Sequence, residues 1–135
     1  MAYFDELDRY LSLTFSMDNW EDSASLYAIE LMQKLTPDDW GIVESCWRKK
    51  TAQWQRYCAS VMSFGDLSRA IPVLFEMIQT ADDELATIAA DSLRDIHSNI
   101  KQIQVSPTVR ARLQEVARNN PGLAARVIND LLEHL

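Results

Sequence analysis

The amino-acid sequence predicts an all-α protein on two observations. Glycine and proline, which interrupt helices, are scarce: the 135 residues include three glycines and four prolines, and each proline stands near a predicted helix start. Apolar side chains recur at the i, i+3, i+4 and i+7 spacing that places them on one side of an α-helix. We therefore expect about eight helices, arranged as antiparallel pairs in one domain that spans residues 1–135.

Cap residues and apolar spacing place these helices along the chain. The first is predicted over residues 2–14, and the polar residues 16–22 separate it from the second, which ends at Leu35. Thr36 followed by Pro37 is a strong helix start, because threonine caps the helix and proline fits its first position. The predicted N-cap residues are Asp22 or Ser23, Thr36, Thr51, Asp82, Ser106 and Asn120.

The chain is organised around residues 64–96, which form a predicted helix hairpin of about 33 residues. Its first helix carries large apolar side chains at helical spacing. Its second helix carries smaller ones, such as Ala89 and Ser92, so the two helices can lie close together.

Four features of this hairpin resemble a HEAT-type repeat. They are the Gly65-Asp66 turn, the run 69–74 that contains Pro72, the acidic turn 82–84, and the Ala-rich second helix that ends at Ile96. The resemblance covers residues 64–97. It implies that the helix hairpins of this chain stack as a short right-handed solenoid.

The charge of the chain limits its partners. It carries 20 acidic and 13 basic residues, a net charge of −7, and 17 of the acidic but only 8 of the basic residues fall within residues 1–95. An acidic surface repels nucleic acid, because phosphate binding depends on lysine and arginine. It attracts basic proteins, so we expect a protein partner and no nucleic acid.

The sequence also bears on location. The first residues, MAYFDELDRY, are acidic and aromatic, whereas a secretory signal is basic and then apolar. No apolar run approaches the about 18 residues of a membrane span. The two cysteines, Cys46 and Cys58, lack the CxxC spacing, and we expect both to be reduced. These features predict a cytoplasmic protein without a membrane partner.

The sequence contains no recognisable catalytic motif. His97 and His134 are too few and too far apart to suggest a zinc site, and no GxSxG, HExxH or phosphate-binding loop is present. The acid pairs at 38–39 and 82–83 could do acid–base work, but helix capping explains them more simply. We therefore expect no enzymatic activity, and no cofactor, metal or small-molecule substrate.

Candidate partner-binding residues fall into two groups. Glu84, Thr87, Asp91 and Asp95 share one predicted helix stripe, where the like charges of Asp91 and Asp95 at i, i+4 favour an external partner. The alternative is an ordinary solvated face. Trp20 and Trp40 stand beside predicted caps, where each is either an exposed interface anchor or part of the core. The candidate set is Glu84, Thr87, Asp91, Asp95, Asp82, Asp83, Trp40, Asp38, Asp39 and Trp20.

A second resemblance spans residues 36–96. Asp39-Trp40 and the runs 54–59, 70–74 and 89–93 are arranged as in small helical immunity proteins of bacterial contact-dependent inhibition and related polymorphic toxin systems. The resemblance implies a cytoplasmic protein that neutralises a toxin domain by direct contact, usually a nuclease such as an endoribonuclease. A HEAT-like adaptor or scaffold subunit of a larger assembly is the alternative, and an accessory role to an enzyme rests on fold analogy alone.

Overall fold

The computed structural model describes residues 2–100 and 103–135, and the backbone of this part is helical without a strand. The all-α prediction is therefore confirmed. We number eight helices within these ranges. They are α1 (Phe4–Leu11), α2 (residues 17–34), α3 (Pro37–Cys46), α4 (Ala52–Val61), α5 (Leu67–Ile78), α6 (Asp83–Ile100), α7 (Pro107–Asn119) and α8 (Leu123–Glu133). Short 3-10 turns, Trp47–Lys49 and Met62–Phe64, follow α3 and α4.

Four of the predicted N-caps form as expected. The side-chain oxygens of Thr36, Thr51 and Ser106 each accept a hydrogen bond from the backbone N–H three residues later, at 3.2 Å in all three cases. Asp82 caps α6 in the same way, with its carboxylate 3.1 Å from the N–H of Leu85. These caps are local in sequence, which is why the sequence predicts them.

Two helix starts differ from the prediction. The polar residues 16–22 do not separate the first helix from the second. Ser16 instead caps a helix that begins at Met17 and continues through a π-helical turn, Trp20–Ala24. Asn120 does not cap α8. Its side-chain amide instead donates to Asp83 at 2.9 Å, and α8 begins after Gly122, which has a φ of 110°.

Helix α6 is the centre of the fold. It packs against its hairpin partner α5, against α4 and α8 on either side, and against α7. Its small residues Ala86, Ala89 and Ala90 are fully buried, which allows these neighbours to approach closely. Helix α5 also contacts α7, so the hairpins from α4 to α8 lie side by side. The right-handed repeat geometry of a HEAT solenoid stays a prediction.

A substitution of Gly65 tests the packing between α2, α3 and the turn before α5. A Cβ atom there would lie 2.8 Å from Cζ2 of Trp40 and 3.0 Å from Cγ of Met32. We expect Gly65→Ala to lower the free energy of unfolding by about 1–2 kcal/mol, measured by urea denaturation, because both neighbours are held in the core.

Gly41 provides the matched control for this substitution. It lies in α3, and a Cβ atom at this position has nothing within 4 Å. Gly41→Ala should therefore stabilise the protein by about 0.5–1 kcal/mol, because alanine loses less conformational freedom in a helix. Equal effects of the two substitutions would contradict the close contact at Gly65.

Candidate protein-binding surface

Two of the three carboxylates in the predicted acidic stripe on α6 make ion pairs within the chain. Glu84 lies 3.2 Å from the guanidinium of Arg56, and Asp91 lies 2.7 Å from that of Arg94. Thr87 donates its hydroxyl to the backbone of α6 itself. Asp95 is the one stripe carboxylate that takes part in no ion pair with the described residues. Its partial desolvation and the nearby charge of Asp91 raise its pKa, against the opposing effect of Arg94.

The two acids at the start of α6 hold the fold together. Arg56 of α4 binds the Asp82 carboxylate through two nitrogens, with Nε–Oδ2 at 3.2 Å and Nη2–Oδ1 at 3.1 Å. Burial alone would raise the pKa of Asp82, but the bonds from Arg56 and from two backbone N–H groups lower it. Asp83 accepts from Arg112 at 2.7 Å and from Asn120 at 2.9 Å, and these bonds lower its pKa. Both acids therefore have a structural role.

Asp39 and Asp38 differ sharply, although they are adjacent. Asp39 is fully buried, where it completes a capping box with Thr36 and accepts hydrogen bonds from the backbone N–H groups of Tyr3 and Phe4, each at 3.1 Å. It therefore ties the start of α1 to the start of α3 and cannot face a partner. Asp38 is exposed, so it remains available as a binding residue.

Neither candidate tryptophan is an exposed anchor. Trp20 is 8% exposed; its ring stacks on Tyr57 with centroids 4.1 Å apart, and its Nε1 donates to Ser60 at 3.3 Å. Trp40 is 1% exposed and lies in the core against Gly65. The packing alternative is correct for both, because each ring is covered by residues distant in sequence.

A shallow groove lies between the turn after α3 and the carboxyl end of α5. It has a volume of about 650 Å³ and is lined by Trp47, Arg48, Glu76 and Asp82, among others. Its two carboxylates are already occupied, since Glu76 pairs with Arg48 and Asp82 with Arg56. The groove therefore offers a substrate no free charged group.

Cys46 and Cys58 are free thiols, and burial raises the pKa of Cys58 to about 12, so its reactive thiolate is disfavoured. Across residues 2–100 and 103–135, no three His, Cys, Asp or Glu side chains are grouped so that they could hold a metal ion. None of the helices in these same ranges has the length and apolar character needed to cross a bilayer.

The unpaired negative charge is concentrated at the amino-terminal end. Residues 1–47 carry ten acidic and two basic residues, a net charge of −8, whereas residues 48–135 carry ten and eleven. Among the described residues, seven of the ten acids after residue 47 form an ion pair, but only Asp8 and Glu44 do so before it. Seven others there are exposed and make no ion pair with the described residues: Asp5, Glu6, Asp18, Glu21, Asp22, Glu30 and Asp38.

We call these seven carboxylates the amino-terminal acidic surface. Three large apolar side chains of α2 are also exposed: Met17, Leu26 and Tyr27. Of the residues singled out from the sequence, this surface contains only Asp38. The sequence itself indicates this surface, because the excess of acidic over basic residues ends near residue 47. A charge count over residues 1–95 does not reveal it, since that range also includes the paired acids of the central hairpin.

The fold and this surface together define a class: an all-α protein with an acidic amino-terminal surface whose carboxylates make no ion pair with the described residues. Comparisons with known proteins add no family to this description, because no protein-family model, curated protein or solved structure matches the chain.

Proposed function

We propose that this protein is a cytoplasmic immunity protein of the bacterial toxin–immunity type. It would bind a basic toxin domain, of the endoribonuclease class, and cover its active site or substrate cleft. The observation that carries the proposal is the amino-terminal acidic surface, which presents seven carboxylates without ion pairs among the described residues.

The mechanism follows from charge complementarity. A nuclease that binds RNA presents lysine and arginine to the phosphates, and a surface of opposite charge competes for the same groups. Such an inhibitor needs positioned carboxylates but no chemistry of its own. The acids of α6 contribute less than their number suggests, because Arg56, Arg94 and Arg112 each offset one negative charge of the two carboxylates that they pair with.

A HEAT-like adaptor is the second candidate. It is favoured by the side-by-side packing of the hairpins from α4 to α8, which is typical of proteins that present extended surfaces to other subunits. An adaptor, however, gives no reason for the concentration of unpaired acids before residue 48. For that reason we place the inhibitor first.

Co-purification with a toxin domain tests the proposal. The full chain, carrying an affinity tag, is co-expressed with the polypeptide encoded immediately upstream of its own gene, and the complex is measured by mass spectrometry and stopped-flow fluorescence. We expect a stoichiometric complex with a basic polypeptide, and an association rate that falls at least about tenfold between low and high salt.

The same complex should lose ribonuclease activity in a fluorogenic RNA cleavage assay. The inhibitor proposal would be overturned by recovery of a multi-subunit assembly without a basic toxin domain, which is the result that the adaptor predicts. It would also be overturned by a toxin domain that remains unbound and active in the presence of excess protein.

A further inference from the structure

We propose that the basic partner docks on the outer side of α2, and this inference rests on the function proposed above. We define the α2 docking face as Asp22, Leu26, Tyr27 and Glu30 of α2 together with Glu6 of α1. The occupant is a basic protein surface, in which an apolar side chain covers Leu26 and Tyr27 while arginine or lysine side chains meet the three carboxylates around them.

The apolar centre of this face is exposed to solvent. Leu26 is 61% exposed and Tyr27 43%, and the two are adjacent on a helix whose opposite side is buried against α1 and α4. A single exposed leucine on a helix has no special meaning. Here the exposed pair lies within a row of acids, because Asp22 and Glu30 stand four residues before and after Leu26 on the same side of the helix.

Tyr27 is already held in one orientation. Its hydroxyl donates to Oε2 of Glu6 at 3.1 Å, and its ring packs edge-to-face on Tyr10 with centroids 4.8 Å apart. Tyr10 is fixed in turn, since its hydroxyl donates to the backbone oxygen of Ala24 at 2.7 Å. An aromatic side chain that is positioned before binding loses little entropy in a complex, which is a property of interface anchors.

Charge identifies the occupant of this face. The Tyr27 hydroxyl donates to Glu6, and this hydrogen bond, desolvation and the charges of Glu6 and Glu30 raise the pKa of Tyr27. A guanidinium can stack on such a ring and bind a carboxylate at the same time. A second copy of this chain would bring its own acids against these, and a purely apolar partner would leave them desolvated.

Two pairs of substitutions test the face against matched controls elsewhere on the chain. Leu26→Ser is compared with Leu123→Ser, because Leu123 is 73% exposed on α8. Glu30→Lys is compared with Glu133→Lys, since both glutamates are exposed and neither makes an ion pair with the described residues. Each variant of the full chain is mixed with the upstream-encoded toxin polypeptide, and its association and dissociation rates are measured by biolayer interferometry.

We expect Leu26→Ser to speed dissociation about tenfold with little dependence on salt, because it removes an apolar contact. Glu30→Lys should slow association severalfold at low salt. The two control variants should behave as the unmodified protein, and circular dichroism should show all four variants folded, since none of the four positions is buried.

The outcomes separate this inference from the proposed function. If the unmodified protein does not bind the toxin polypeptide, the proposed function is wrong, and the docking face falls with it. If the unmodified protein binds, but Leu26→Ser and Glu30→Lys bind as tightly as their controls, the docking face is wrong and the proposed function stands. In that case, weaker binding by Asp91→Lys combined with Asp95→Lys would place the interface on α6.

Discussion

Replacement of Asp39 by alanine should lower the free energy of unfolding by about 3 kcal/mol, measured by urea denaturation. The carboxylate accepts hydrogen bonds from the N–H and hydroxyl of Thr36, at 2.9 and 3.0 Å, and from the N–H groups of Tyr3 and Phe4. Alanine offers these donors no acceptor. The buried ones lose their partner without regaining water, and α1 loses its attachment to α3.

Asp38→Ala is the control for this substitution. Asp38 stands in the same first turn of α3 but is exposed, so it contributes only its interaction with the helix dipole. We expect Asp38→Ala to cost less than about 1 kcal/mol. Equal losses from the two substitutions would show that the contribution of Asp39 is its charge at the helix start, and that its bonds to α1 are unimportant.

The contribution of Asp39 should also disappear in acid. Burial by itself raises the pKa of this carboxyl, but the backbone hydrogen bonds from Thr36, Tyr3 and Phe4 outweigh burial and lower the pKa. A carboxyl whose pKa is lowered by folding stabilises the protein above its ordinary pKa, and this stabilisation is lost as the pH falls through the folded-state pKa. The difference between the unmodified protein and Asp39→Ala should therefore be constant near neutral pH and shrink below about pH 4.

The sequence predicts those parts of this fold that depend on near neighbours. A cap such as Ser106 acts on an N–H three residues away, and the apolar period of α5 or α6 is visible within one helix. Each can therefore be found by inspection of a short window. The same is true of the Ala-rich side of α6, where small residues at helical spacing indicated close packing.

Residue roles that depend on distant parts of the chain could not be predicted. Trp20 looked like a candidate anchor because its sequence neighbours are polar, but Tyr57 and Ser60 cover it from α4. Helix capping accounted for the acid pair at 38–39, yet nothing near residue 39 in the sequence shows that the Asp39 carboxylate also holds α1. Arg94 could be expected to offset Asp91 at i, i+3, whereas its second partner, Asp130, lies 36 residues further along the chain.

The pairing of the candidate acids could not be predicted for a related reason. A charged residue is available to a partner only if the fold leaves it unpaired, and pairing is a tertiary property. Asp82 and Glu84 share Arg56, which comes from another helix, so one of their two negative charges is offset in the folded chain. Of the acids of α1 and α2, only Asp8 makes an ion pair with the described residues. Charge counted over residues 1–95 found the surplus but not its position.

Ala90→Leu should lower the free energy of unfolding by about 3 kcal/mol, because it adds three carbon atoms to a side of α6 that is already closely packed. Ala90 is fully buried, and α6 has helices against it on several sides, so the larger side chain can be accommodated only by moving α6 away from a neighbour. The loss is measured by urea denaturation at neutral pH.

Ala111→Leu in α7 separates packing from helix propensity. Ala111 is exposed, and leucine is nearly as good a helix former as alanine, so this control should change stability by less than about 0.5 kcal/mol. If Ala90→Leu were neutral or stabilising, α6 would have room beside it, and the central hairpin would be held by fewer contacts than the structure shows. A large loss at Ala90 alone would instead establish that small side chains on α6 set the spacing of the hairpins from α4 to α8.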